Sequence, residues 1–144
     1  MSEKWVRSTR TIKKWVPKIS SYSRPFWEAT KRRELVIQEC ANCGGKIYPP
    51  APVCPFCFSD NLRWVKSSGR GKVLTFTTIY EYSPSWVRDF LPYILALVKL
   101  EEGVVMLSHI VGCKPEEVKC DMDVEVTFEN ITEDFVVPKF KPVK

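Results

Sequence analysis

The chain has 144 residues, 44% of them hydrophobic, and a formal charge of +5. That length suits one compact domain or two small modules. No stretch approaches the roughly 20 consecutive apolar residues of a membrane helix. The first ten residues are polar and basic with no apolar centre, so they do not read as a secretory signal, and a cytoplasmic protein with no membrane contact is expected.

Charge is uneven along the chain. Residues 1–33 carry ten Lys or Arg against two Glu, and residues 34–144 carry twelve against fifteen. A basic arm on a mildly acidic body fits nucleic acid, an acidic partner or a phosphorylated ligand, and it equally fits a solvated amphipathic arm. Within the arm, Trp5, Val6, Ile12, Trp15 and Val16 would line one side of a helix that Pro17 ends. A second helical stretch opens at Pro25, a residue suited to a first helical position. Phe26, Trp27, Ala29 and Leu35 give it a partial apolar stripe.

Two cysteine pairs follow, Cys40-Ala41-Asn42-Cys43 and Cys54-Pro55-Phe56-Cys57, ten residues apart. Each pair spaces two thiolates about one tetrahedral edge apart, and a hairpin that joins the pairs closes a four-sulfur shell around one metal ion. Gly44-Gly45 and Pro55 supply the tight turns that such knuckles need. The shell is full, so the metal is structural: no position is left for water or substrate. Zinc is the expected ion, with iron in a rubredoxin-like site as the alternative. A disulfide reading gives way to the intracellular character of the rest. Between the pairs, Lys46-Ile47-Tyr48-Pro49-Pro50 reads as a short strand and a proline turn, the plan of a zinc ribbon. A module this small relies on its metal for stability.

From Asn61 onward the pattern is strand-rich. Leu62 to Lys66 leads to Gly69-Arg70-Gly71, whose glycines suggest the bend that a small barrel needs at a corner. Strands are expected over Lys72 to Tyr80, Tyr93 to Leu100, Val104 to Val111, Val124 to Glu129 and Phe135 to Val137, with one helical turn at Pro115 to Val118. Five strands with a short helix between the third and fourth follow the OB-fold order. The expected fold is therefore mostly β: an N-terminal helical segment (residues 1–38), a rubredoxin-like zinc ribbon (39–60) and a C-terminal five-stranded OB-fold barrel (61–144).

Cys113 and Cys120 are left over and read as free thiols, with a bridge between them as the lesser reading. His109, the only histidine, sits in an apolar strand pattern with no evident catalytic partner. There is no Ser-His-acid arrangement and no Gly-rich loop before a helix, so no catalytic residue is expected.

Several motifs stand in fixed order: Pro25-Phe26-Trp27, Leu35, Cys43-Gly44, Tyr48-Pro49-Pro50, the second Cys pair, Gly69-Arg70-Gly71, Pro92-Tyr93, Ala96-Leu97-Val98, Leu100, Gly103 and Pro138-Lys139-Phe140-Lys141-Pro142. In this order, from Pro25 to Pro142, the chain resembles the acyl-CoA-associated zinc-ribbon and OB-fold proteins long catalogued as a domain of unknown function. Phe58 departs from the pattern, which often has glycine after the second knuckle, so a different turn is expected there. The resemblance implies a non-catalytic accessory or scaffold subunit. It implies coenzyme A or acyl-CoA as ligand, and a thiolase-like or 3-hydroxy-3-methylglutaryl-CoA synthase-like enzyme as partner.

Coenzyme A asks for cations at its phosphates, an apolar platform for adenine and a narrow groove for its pantetheine arm. Lys31, Arg32, Arg33 and Arg70 are candidate phosphate contacts. The loop before Tyr93, with Trp86, Arg88 and Phe90, is placed where OB folds line their ligand face. Trp86 and Phe90 would serve equally to plug the barrel mouth or to face a partner. The rival function is single-stranded nucleic-acid binding, since OB folds and basic arms both serve it. The barrel segment pairs few Lys or Arg with its aromatics, which weighs against that rival.

Overall fold

A computed structural model describes residues 16–81, 84, 88 and 91–143. Trp86, Phe90 and, apart from the non-helical Val16, the expected helix over residues 5–16 lie outside the described residues. The single α-helix among the described residues, α1 (Arg24–Lys31), carries Pro25 in its first turn as expected. It is shorter than the stripe to Leu35 suggested, because the chain turns at Arg33, whose φ is 62°. Phe26, Ala29 and Thr30 form its buried face, and the Thr30 hydroxyl donates to the Trp27 carbonyl at 2.8 Å. Phe26 packs edge-on against Trp27, and Trp27 leans on Phe135 with ring centroids 4.7 Å apart. These rings pin α1 to the last barrel strand.

Strands β1 (Val36–Cys40), β2 (Lys46–Ile47) and β3 (Leu62–Lys66) form a small antiparallel sheet in the order β2-β1-β3. β3 pairs with β1 over five positions, from Val36↔Lys66 to Cys40↔Leu62. Leu62–Lys66 thus completes the metal module rather than opening the barrel. β1 is buried almost throughout. Ile37, and Leu35 just before the strand, join the main core, while Cys40 belongs to a second cluster with Ile47 and Cys54.

Strands β4 (Arg70–Ile79), β5 (Tyr93–Leu100), β6 (Val105–Ile110), β7 (Asp123–Thr132) and β8 (Phe135–Pro142) close a barrel in the order β4-β5-β6-β8-β7. A 3-10 turn at Pro115–Glu117 lies between β6 and β7, as the OB order requires. β7 and β8 run longer than expected. They form one hairpin paired from Val124↔Pro142 to Thr132↔Phe135, which carries the proline-rich end into the sheet. Inward-facing Val73, Ile94, Ala96, Val98, Leu100, Met106, Ile110, Val124 and Phe140 fill the interior. Alternation along β5 places every second side chain inside.

Gly69 and Gly71 mark the corner read from the sequence. Gly69 has φ +75°, and a Cβ there would lie 2.5 Å from Val126 Cγ1. A register shift between Val73 and Thr75 bends β4 further along.

Candidate metal centre and ligand surface

Two polar residues of β1 set the knuckles in place. The Gln38 side-chain amide donates to the Ala51 carbonyl at 3.1 Å, and its oxygen accepts from the Ala51 N–H at 2.7 Å. This clamps the approach to the second knuckle. Glu39 accepts from Lys46 on β2 and from Arg63 on β3, with Arg63 Nε at 2.7 Å. The Lys46 hydrogen bond, then that from Arg63, holds the Glu39 carboxyl below the usual carboxylate range. One carboxylate thereby ties all three strands of the ribbon.

The sulfurs of Cys40, Cys43, Cys54 and Cys57 all lie within 4.8 Å of one another. Cys40 and Cys57 are 3.6 Å apart, as are Cys43 and Cys54. A tetrahedron with bonds of about 2.3 Å to sulfur has edges of roughly 3.8 Å, so the donor set fits one zinc ion. Backbone N–H groups point at the sulfurs in the way that steadies thiolates: Cys43 N to Cys40 Sγ at 3.5 Å and Phe56 N to Cys54 Sγ at 3.4 Å. The Asn42 amide at 3.5 Å from Cys57 Sγ, helped by the Ser59 N–H, brings that thiol down to about 6. The ribbon holds one structural zinc, with Cys40 and Cys54 buried beneath it.

Phe58 corrects an expectation. It does not divert the turn; it takes φ 62°, the left-handed region itself, while its N–H donates to the Cys54 carbonyl at 2.9 Å. The knuckle's hydrogen bonding imposes on Phe58 a backbone conformation that bulky side chains disfavour.

The expected ligand residues fall in separate places. Lys31 ends α1 and is exposed. Arg32 pairs with Glu34 at 3.7 Å, and Arg33 reaches across to Asn130 Oδ1 at 2.6 Å, tying the helix end to β7. Arg70 lines a cavity of about 400 Å³ at the β4–β7 seam with Lys72, Lys99, Glu101 and Asp123. There Lys72 is held by Asp123 at 2.9 Å. Tyr93 lies elsewhere, stacked on His109 at 4.8 Å, beside a cavity of about 240 Å³. Arg88 is exposed just before that strand. Arg70 and Tyr93 therefore line different cavities, and the helix-end cations line neither.

Around Tyr93 the structure gathers groups that the sequence scattered. His109, Cys113, Lys139 and Glu129 line the same small cavity, and Lys139 pairs with Glu129 at 2.8 Å. Burial, with nearby Lys139 adding to it, holds the His109 imidazole below its ordinary pKa. Burial likewise pushes the Cys113 thiol up. A thiol held in its protonated form is a weak nucleophile. The alternation of β5 and β6 was the one sequence signal for this grouping. It puts Tyr93 and His109 on the same outer side, but only the register Ile94↔Ile110 brings them together.

Comparison with known proteins gives a consistent result. Residues 27–63 match the ChsH2 rubredoxin-like zinc ribbon domain and residues 64–129 the ChsH2 C-terminal OB-fold domain. A DUF35 domain-containing scaffold protein of Pyrococcus furiosus is 41% identical over 115 residues, covering 80% of this chain and 81% of its own. A probable enoyl-CoA hydratase alpha subunit of Thermomonospora curvata is 36% identical over 118 residues, 81% of this chain. This chain spans only 36% of that subunit's length. The benzoylsuccinyl-CoA thiolase subunit BbsA of Geobacter metallireducens is 28% identical over 88% of this chain and 85% of its own. Among solved structures, a chain of the Ltp2-ChsH2(DUF35) aldolase superposes with a TM-score of 0.80 at 31% identity, covering 88% of this chain and 98% of that one. With ribbon and barrel matched in order over residues 27–129 and a scaffold relative at this identity, the chain belongs to the DUF35 family of zinc-ribbon and OB-fold proteins.

Proposed function

We propose that this chain is a non-catalytic subunit that docks on a thiolase-type enzyme and helps to hold its acyl-CoA. The observation that carries the reading is the outer face of β4, β5 and β6. Leu97 sits opposite Leu107 in register. Leu74 and Leu107 are 50% and 60% exposed, and Val105 is exposed beside them. An apolar sheet face of this kind marks a protein-facing surface. The relatives named as subunits of thiolase, hydratase and aldolase assemblies support the same reading.

The groove at the β4–β7 seam supports a phosphate-bearing ligand. Arg70, Lys72 and Lys99 line it together with Glu101 and Asp123, which pairs with Lys72, and Arg70 and Lys99 are the cations best placed to meet a coenzyme A phosphate. A synthase of the 3-hydroxy-3-methylglutaryl-CoA type fits the same docking role, since its substrates carry the same coenzyme. Single-stranded nucleic acid is disfavoured because a strand binder needs aromatic platforms and cations on the face that here presents leucine and valine.

The test combines co-purification and calorimetry. The full chain is co-produced with a thiolase-type enzyme of the same genome and then titrated with acetyl-CoA, alone and in the complex. Recovery of a stoichiometric complex that binds the thioester is the expected result. Absence of both complex and binding refutes the reading.

A further inference from the structure

The second zinc knuckle spends backbone strain on an aromatic ring that the chain itself does not bury. Phe58 occupies φ 62°, a region where a Cβ is unfavourable and where bulky residues are outliers. Its ring is nevertheless 79% exposed, so packing within the chain does not offset the strain. Phe56, two residues earlier, is 65% exposed. Its ring lies over the first knuckle, where a Cβ on Gly45 would come within 2.6 Å of Phe56 Cδ2. Val53 adds a third exposed apolar side chain at the same loop. Phe56 lies between the two metal-site cysteines Cys54 and Cys57, and the Phe58 N–H donates to the Cys54 carbonyl at 2.9 Å, so the backbone under both rings is fixed as it would not be on a flexible segment.

Strained, rigid and exposed aromatics are features of recognition surfaces. We infer that Phe56 and Phe58 form a metal-braced prong that inserts into an apolar pocket on the thiolase-type catalytic subunit. This inference rests on the docking reading above and adds a second contact to the sheet face.

Charge selects the occupant. Residues 40–45 and 51–59 contain no Lys, Arg, Asp or Glu. The charges that flank these stretches are Glu39, Lys46, Asp60 and Arg63; Glu39 engages both Lys46 and Arg63 within the ribbon, and Asp60 adds a negative charge beside the loop. A zinc ion with four thiolates carries a formal charge of about −2, and Cys43 leaves that shell exposed. An anionic membrane or a nucleic acid is repelled by such a tip, which offers no cation in return. A protein pocket with an apolar floor and a rim of N–H donors or arginines complements it.

Two substitutions keep the fold while removing the rings. Phe58→Gly relaxes the turn, because glycine favours that φ, and Phe56→Ser leaves the N–H that meets Cys54 Sγ. Zinc content of one equivalent per chain confirms that each variant retains its ribbon. The probe is the thiolase-type catalytic subunit of the same genome, immobilised, with the full-length zinc-loaded chain in solution. Each variant is expected to weaken binding by roughly 30-fold or more, the range of buried aromatic anchors.

Wild-type binding that survives both substitutions but is lost in Leu107→Ser overturns the prong and leaves the docking reading standing. No binding by the wild type overturns both. Partition of the wild type, but not of Phe58→Gly, onto phosphatidylcholine–phosphatidylserine vesicles would reassign the prong to lipid and likewise overturn the inference.

Discussion

Replacing Gly71 by alanine tests how the barrel closes. Gly71 is paired on both sides, with Leu100 of β5 and Val124 of β7, so it lies on the seam where first and last neighbours meet. An added Cβ would lie 2.5 Å from the Lys99 carbonyl oxygen, 3.0 Å from Val98 Cγ1 and 3.1 Å from the Lys99 carbonyl carbon. Two of those three obstacles are main chain of a paired strand, which no side-chain rotation can clear. Relief requires β4 and β5 to part by several tenths of an ångström, or the seam to slip. Overpacking of this kind costs about 1–3 kcal/mol, and an obstacle made of backbone places Gly71→Ala near 3. For a chain of this size that lowers the melting temperature by about 6–12 °C. Gly103→Ala is the control. Its φ is +94° and nothing lies within 4 Å of the added Cβ, so only the left-handed penalty of about 1–2 kcal/mol applies. Urea unfolding followed by tryptophan fluorescence measures both. A Gly71→Ala variant as stable as Gly103→Ala or more so would refute the reasoning.

Other perturbations address the ribbon and its attachment. Chelation of zinc, or Cys40→Ser, should abolish hydrogen-exchange protection at Lys46–Ile47. The barrel amides should stay protected, because the ribbon's own buried cluster is little more than Cys40, Ile47 and Cys54 while the barrel has a separate core; equal loss in both would contradict this division. Glu39→Gln should lower the thermal stability of the wild type at pH 7. Because the folded Glu39 carboxyl titrates below its usual value, its contribution is present above about pH 4.3, the unfolded value, and drains as pH falls through the lower folded value. The gap between wild type and variant should therefore close in acid, and a gap constant from pH 7 to pH 3 would count against the ion-pair account. Arg33→Ala removes the link to Asn130 and should cost about 0.5–1.5 kcal/mol, read by the same urea titration; a neutral result would show that the helix end is held by packing alone.

The metal centre was legible because its information is local. A C-x-x-C pair fixes its own geometry whatever surrounds it, and two of them leave little freedom. Barrel strands were legible from alternation and β-branched runs, but their ends were not. The last strand was expected to stop at Val137, yet Pro138 to Pro142 continues β8 in pairing with β7. Leu62–Lys66 illustrates another limit: a strand pattern does not say which sheet receives it, and pairing with β1 decided the matter. Phe58 was misread because glycine is the usual answer to a left-handed turn. Here the hydrogen bond to Cys54 and the metal shell impose the conformation regardless. The cavity around Tyr93, His109 and Lys139 depended on register between strands far apart in sequence, which composition does not encode.

A metal-braced ribbon and an apolar barrel face underlie the proposed role of this chain as a docking subunit. Sedimentation velocity of the zinc-loaded chain mixed with a thiolase-type enzyme of the same genome tests it most directly. One fast boundary containing both polypeptides is predicted. Two boundaries that move independently at micromolar concentration would contradict it.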